Sequence, residues 1–181
     1  MSIMTPWGWS QTIEQIADGI QFISTAGHGG IRLSVERNRE MPDYLRIQSG
    51  WYEEDVDWAR VAIAFPQYFK KQEMLPIELV RNWLPDEYEL HTGKILAAGE
   101  SIEKDRREWA AQHSNDYVVT SAWGDWHPKV PKGHVVVAAR IPAHPENAGY
   151  FVVPSAEYCQ RSRFGFAVEL ARHPNIEPIN L

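Results

Sequence analysis

The segment from Asp18 to Ser34, DGIQFISTAGHGGIRLS, constrains the fold more than any other part of this chain. Its two apolar runs, Ile20–Ser24 and Ile31–Ser34, have the alternation that is typical of half-buried strands. Between the runs lie the glycines of the string Ala-Gly-His-Gly-Gly, which permit positive φ angles and close backbone approach. The segment therefore predicts a β-hairpin with a loop of several residues and with His28 at its tip.

Length and composition restrict the class of protein. The 181 residues are 44% hydrophobic, which is enough to bury a core, and we expect one compact domain over residues 1–181. The alternative is a subdivision into a mixed helix and hairpin part, 1–114, and a β-rich part, 115–181. A single cysteine, Cys159, excludes a disulfide framework and fits a reducing compartment. No segment has the pattern of a signal peptide or a membrane span, so we expect a cytoplasmic protein without membrane contact.

The formal net charge is −6. A negative chain repels phosphate backbones and anionic membranes, which argues against both as partners. Charge therefore favours a protein partner over nucleic acid.

Local patterns in the first part of the chain predict a hairpin accompanied by short helices. Four segments have helical spacing or capping signals: Ser10–Ala17, Val35–Glu40 capped by Ser34, Pro76–Leu84, and Ser101–His113 capped by Ser101. Tyr44–Ile47 fits a brief extended segment. Helix and strand patterns both fit Ala59–Phe65, and we favour the helix.

The pattern changes to β structure after Asn115. Four segments are rich in β-branched and aromatic residues: Tyr117–Trp123, Val135–Ile141, Tyr150–Val153 and Phe164–Leu170. The turn-bearing spacers between them favour an antiparallel meander, with one short helix within Pro154–Arg161. The whole pattern predicts an α+β fold, with an antiparallel sheet, a hairpin and several short helices.

Catalytic candidates are few. The chain has no phosphate-binding glycine loop, no HExxH and no CxxC, so the sequence predicts neither a cofactor nor a metal site. The backbone N–H groups of the loop Gly27-His28-Gly29-Gly30 could bind an anion, with the His28 imidazole beside it. Asp125 could orient His127 as a general base. A glycine-rich turn and a surface loop are the simpler explanations. Glu169 and His173 have the spacing of two ligands on a helical face, but the sequence offers them no third ligand.

Acidic and aromatic residues provide candidates for partner binding. Glu53, Glu54, Asp55 and Asp57 crowd together without the alternating ligands and central glycine of an EF-hand, so we expect a solvated acidic helix start. There are eight tryptophans. We expect most of them to pack in the interior, and Trp7, Trp9, Trp123 and Trp126, which lie beside Gly and Pro, to be exposed. The candidate partner-binding residues are Trp7, Trp9, Trp51, Trp126 and the four carboxylates.

The segments TPWGWS…DGIQFISTAGHGGIRLS, WYEEDVDWARVAIAFP, AWGDWHPKVPKG and RFGFAVELARHP resemble an uncharacterised family of bacteriophage- and plasmid-borne bacterial proteins. The resemblance runs from Thr5 to about Pro174. It implies a bacterial cytoplasm and a mobile genetic element, and it carries no known activity and no catalytic residues.

These observations together favour a non-catalytic protein that binds a bacterial protein, and by analogy inhibits host defence. Two alternatives remain. One is a small hydrolase or transferase that uses the His28 loop with Asp125 and His127. The other is a single-stranded nucleic-acid binder that stacks bases on its tryptophans.

Overall fold

The chain has an α+β fold, as the sequence predicts, in a computed structural model that describes residues 2–70 and 74–178. It divides into two compact units, Met1–Asp105 and Arg106–Leu181. The expectation of one domain, or of a division after residue 114, stays a prediction. Within the described ranges, no helix has both the length and the apolar character needed to cross a membrane.

The first unit is built on a four-stranded antiparallel sheet. Its strands, in spatial order, are β3 (Thr12–Ala17), β4 (Ile20–Ser24), β5 (Gly29–Leu33) and β6 (Trp51–Glu53). A two-stranded ribbon, β1 (Met4–Thr5) with β2 (Gly8–Trp9), precedes them. The predicted hairpin is confirmed as β4–β5, in which Ile20 pairs with Leu33 and Ser24 with Gly29, and His28 lies in the exposed loop.

The prediction of a helix over Ser10–Ala17 is wrong, because this segment contains strand β3. Ile13 lies opposite Ile23 on β4, and Gln15 lies opposite Gln21. Gly19, with φ of 70°, turns the chain directly from β3 into β4. Pairing with an adjacent strand therefore outweighs the helical spacing of the apolar residues.

The helices of the first unit follow strands β5 and β6 in the sequence. They are α1 (Val35–Arg39), α2 (Trp58–Ala64), a 3₁₀ turn (Pro66–Tyr68), α3 (Met74–Trp83), α4 (Pro85–Thr92) and α5 (Ile102–Gln112), within which the boundary between the two units falls. The predicted caps are confirmed: the Ser34 hydroxyl accepts from the Arg37 N–H, and the Ser101 hydroxyl from the Lys104 N–H. Helix α2 resolves the ambiguous segment in favour of helix.

The core of the first unit lies on one face of the sheet. It comprises Ile20, Ile31, Leu33, Met41, Leu45, Tyr52, Val61 and Phe65. Register explains this set: Ile20 pairs with Leu33 and Ile31 with Tyr52, so all four side chains point to the same face. Helix α2 covers that face with Val61.

The segment Tyr44–Ile47, predicted as extended, is not a strand. The backbone N–H and carbonyl of Ile47 hydrogen-bond to buried side chains and not to a neighbouring strand. The Tyr52 hydroxyl accepts from the Ile47 N–H at 3.0 Å and donates to Asn38 Oδ1 at 2.6 Å. Asn38 Nδ2 donates to the Ile47 carbonyl at 3.0 Å. Three polar groups thereby satisfy one another inside the core.

The second unit is an antiparallel sheet, and its first three strands form the predicted meander. Its sheet has the order β10-β7-β8-β9-β11, formed by β7 (Tyr117–Gly124), β8 (His134–Ile141), β9 (His144–Pro154), β10 (Ala167–Val168) and β11 (Asn175–Ile176). The predicted strand over Phe164–Leu170 is limited to β10. The predicted short helix is confirmed as α6 (Ser155–Tyr158). Side chains from β8, β9 and β10, with Phe151 and Val168 among them, form a separate core.

Replacing Tyr52 by Phe removes one hydroxyl and leaves the Ile47 N–H and Asn38 Oδ1 without that partner. We expect the free energy of unfolding to fall by about 1–3 kcal/mol, the cost of unsatisfied buried polar groups. Urea unfolding at neutral pH measures it. A variant as stable as the native protein would contradict the assigned network.

Tyr52 also makes stability depend on alkaline pH. Burial raises the pKa of its phenol above the ordinary value of 10.0. The pKa of this phenol is higher in the folded than in the unfolded state. The contribution of the protonated phenol to stability is therefore complete below about pH 10 and is lost as pH rises through the folded-state pKa. We therefore expect a steeper loss of stability above pH 10 in the native protein than in Tyr52→Phe, measured by urea unfolding. Parallel pH profiles would contradict this.

Candidate functional site

The tip of the hairpin lies beside the end of strand β6. Gly30 pairs with Glu53, and the Glu54 N–H donates to the Gly29 carbonyl at 3.0 Å, which continues the pairing by one residue. Thr25 closes the loop, since its hydroxyl donates to the His28 carbonyl at 2.7 Å. The backbone thus holds His28 next to two consecutive glutamates.

The side chains of His28, Glu53 and Glu54 form a cluster, here called the tip cluster, in which one nitrogen or oxygen of each lies within 4.8 Å of the others. His28 Nδ1 is 3.8 Å from Glu53 Oε1. Glu53 Oε2 accepts from the Asp55 N–H at 2.7 Å. Glu53 Oε1 is buried and receives no hydrogen bond from the described residues. The cluster therefore combines an exposed imidazole with a carboxylate oxygen that is shielded from solvent.

Two glycines make this arrangement compatible with close packing. A Cβ on Gly29 would lie 2.6 Å from Glu54 Oε2, and a Cβ on Gly30 would lie 2.2 Å from the Tyr52 carbonyl oxygen. The same Cβ on Gly30 would be 2.4 Å from the ring of Trp7. Trp7 in turn packs edge-on against Trp51, with ring centroids 5.7 Å apart. The outer face of the hairpin end is thus covered by aromatic rings.

A cleft of about 700 Å³ opens beside the tip cluster, and Glu54 belongs to both. Its floor is a row across three strands, because Glu14 lies opposite Phe22 and Phe22 lies opposite Ile31. Trp58 of α2 forms part of the wall. The remaining aromatic and charged residues of the lining are Tyr68, Phe69 and Lys70. This volume is within the usual range of ligand-binding clefts, and the lining mixes aromatic faces with carboxylates.

The expectation of an acidic helix start is wrong. Glu53 belongs to β6 and Glu54 extends the strand pairing, so both precede the helix, which begins at Trp58. Asp55 is exposed in the turn, and Asp57 Oδ1 accepts from Arg60 Nε at 3.1 Å. Strand pairing with β5 therefore separates the four carboxylates and brings two of them to His28.

None of the eight tryptophans is fully buried, contrary to the expectation that most of them pack in the interior. Trp9 and Trp126 are exposed, as expected, at 63% and 75%. Trp7 and Trp123, which we expected to be exposed, are half-buried, and Trp123 stacks on Tyr150 with centroids 6.2 Å apart. The indole N–H favours such boundary positions, where one end of the ring reaches water. The other half-buried tryptophans are Trp51, Trp58 and Trp109, and Trp83 is exposed.

Asp125 and His127 lie in the loop between β7 and β8, in the second unit, whereas His28 lies in the first. Asp125 Oδ2 accepts from the Gly133 N–H at 3.0 Å. His127 Nδ1 accepts from the Lys129 N–H at 3.3 Å. The two side chains therefore stabilise the loop through different backbone groups, and neither orients the other.

The His173 side chain is buried, and both of its ring nitrogens contact groups of the second unit. It is 1% exposed, its Nδ1 accepts from the Glu169 N–H at 3.0 Å, and its Nε2 lies 3.0 Å from Glu157 Oε1. Because Nδ1 accepts, Nε2 holds the proton and donates to the carboxylate. His173 therefore contacts the backbone of Glu169, not its carboxylate.

Sequence patterns did not single out the cleft. Glu14, Phe22, Trp58 and Tyr68 come from separate segments, and only strand pairing and the packing of α2 bring them to one lining. The apolar residues of β3, Ile13 and Ile16, lie three positions apart, so this segment offers no local signal that Glu14 lines a cleft.

The fold and the site define a small α+β protein whose first unit contains an aromatic, carboxylate-lined cleft beside a histidine–glutamate cluster. The chain belongs to the family described as a domain of unknown function, DUF7007, whose model matches residues 1–114. The predicted membership of an uncharacterised family is thereby confirmed. No curated protein and no solved structure matches the chain.

Alanine at position 30 should destabilise the first unit. The added Cβ would overlap the Tyr52 carbonyl oxygen and the Trp7 ring, so we expect a loss of about 1–3 kcal/mol in the free energy of unfolding. Gly27→Ala is the matched control in the same loop, because a Cβ there meets nothing within 4 Å. Urea unfolding of both variants measures the difference. Equal effects of the two substitutions would contradict the packing of Trp7 on Gly30.

Proposed function

We propose that this protein binds a basic segment of a bacterial partner protein, and that the cleft of the first unit is the binding site. The observation that carries the proposal is the lining of that cleft, where aromatic rings and two carboxylates surround one space of about 700 Å³. The partner is a protein rather than a nucleic acid because the chain has a formal charge of −6.

The chemistry of the lining fits lysine and arginine. Aromatic faces, here those of Phe22, Trp58 and Tyr68, attract cations and pack against the aliphatic stems of basic side chains. Glu14 and Glu54 supply carboxylates for the charged group at the end of such a side chain. Both kinds of contact thus recognise the same side chain.

Lys70 also lines the cleft, so the cleft is not uniformly acidic. A backbone carbonyl or an acidic residue of the bound segment is the complement to this ammonium group. The expected ligand is therefore a mixed segment that contains a basic residue, and not a polycation.

The biological role rests on the resemblance to phage- and plasmid-borne proteins, which supports a bacterial protein as the partner. Occupation of a basic surface on a host defence protein is the way in which such binding would inhibit it. The exposed Asp55, close to the cleft in sequence, adds to the negative charge that steers a basic partner.

A display library of short random peptides tests the proposal. We expect the selected peptides to be enriched in lysine or arginine next to aliphatic residues. Their affinity should fall at least tenfold in Trp58→Ala and severalfold in Glu14→Gln, since aromatic anchors dominate binding energy. Fluorescence anisotropy on the full chain measures both.

Trp126→Ala is the control, because this indole lies in the second unit and is 75% exposed. Circular dichroism establishes that each variant is folded. Failure to select any peptide, or equal affinity of the native protein, Glu14→Gln and Trp58→Ala for the selected peptides, would contradict the proposed site.

A small enzyme is the second candidate, because one observation favours it: Glu54 lines the cleft and also belongs to the tip cluster with His28. A hydrolase or transferase would take its substrate in the cleft. Mass spectrometry of the selected peptides after incubation with the protein separates the two candidates. Intact peptides support binding, whereas cleaved or modified peptides support the enzyme.

A further inference from the structure

We propose that His28, Glu53 and Glu54 bind a divalent transition-metal ion, Zn²⁺ or Mn²⁺. The three side chains come from two separate segments, the hairpin loop and the end of β6, and one potential ligand atom of each lies within 4.8 Å of the others. Ligand atoms that bind a four-coordinate ion at about 2.0–2.2 Å lie roughly 3.4 Å apart. Small side-chain rotations therefore bring this set to bonding distance.

A second observation, independent of the clustering, points to a cation. Glu53 Oε1 is buried and receives no hydrogen bond from the described part of the chain, while Oε2 of the same carboxylate accepts from the Asp55 N–H. A buried carboxylate oxygen without a donor is costly unless a positive charge stabilises it. His28 Nδ1 lies toward that oxygen at 3.8 Å, which is too long for a hydrogen bond. An ion between the two atoms would stabilise both.

The backbone fixes the three ligands in place. The Glu54 N–H donates to the Gly29 carbonyl, and the Thr25 hydroxyl binds the His28 carbonyl on the other side of the loop. Gly29 lacks the Cβ that would come within 2.6 Å of Glu54 Oε2. Ligands on paired strands and a closed loop lose little freedom when they bind, which favours affinity.

The donor set selects the class of ion. One imidazole nitrogen with two carboxylates suits Zn²⁺ and Mn²⁺, whereas Mg²⁺ and Ca²⁺ prefer sites made of oxygen alone. Three protein ligands leave at least one position for water or a bound group. Because Glu54 also lines the cleft, that position adjoins the space where the proposed peptide ligand binds.

Isothermal titration of the metal-free full chain with ZnCl₂, MnCl₂, MgCl₂ and CaCl₂ tests the site. We expect one Zn²⁺ or Mn²⁺ ion per chain, and at least tenfold weaker binding in His28→Gln and in Glu53→Gln. Electron-spin-echo modulation of bound Mn²⁺ should show an imidazole nitrogen in the native protein and lose it in His28→Gln.

The chain offers a matched control in His144, whose Nδ1 lies 3.5 Å from Glu146 Oε1 on an exposed part of the second unit. This pair belongs to no such group of three among the described residues. We expect His144→Gln to bind the ion as the native protein does.

Three outcomes would overturn the proposal: no binding of Zn²⁺ or Mn²⁺ by the native protein, binding that His28→Gln leaves unchanged, or equal weakening in His144→Gln. His28 is exposed, so its replacement preserves the fold and decides the matter even where Glu53→Gln does not fold. Neither His28 nor Glu53 is in the lining of the cleft, whereas Glu14 and Trp58 are. Loss of metal binding and loss of peptide binding are therefore distinguishable.

Discussion

The register of strands β5 and β6 is the constraint on which the rest of the first unit depends. Ile31 pairs with Tyr52 and Gly30 with Glu53, so Tyr52 points into the core and Glu53 points away from it. Successive side chains in a strand face opposite sides, and a slip by one residue would put Trp51 or Glu53 in the core. The buried Tyr52–Asn38 network, the tip cluster and the cleft edge at Glu54 all follow from this single alignment.

Elements with local determinants could be predicted from the sequence. The β4–β5 hairpin is one continuous stretch in which both strands and the turn residues are adjacent, and α1 and α5 begin at serines that cap them. The meander of the second unit is similar, because its strands β7, β8 and β9 follow one another in sequence and in space. In these cases the pattern and the tertiary pairing favour the same structure.

Elements whose local residue pattern conflicts with their strand pairing could not be predicted. Segment 12–17 has helical spacing of apolar residues, yet its pairing with β4 makes it a strand. Glu53 and Glu54 resemble the acidic start of a helix, yet pairing with β5 keeps them ahead of α2. The same distant pairing brings His28 to the two glutamates, so the error in local structure and the missed cluster have one cause.

The extent of the family match bears on where a shared function resides. The matched residues, 1–114, include the hairpin, the tip cluster and the residues of the cleft. Asp125, His127, Trp123 and Trp126 lie outside that range. A function common to the family must therefore use residues of the first 114, and the features there that combine charge, aromatic surface and an unsatisfied buried oxygen are the cleft and the cluster that share Glu54.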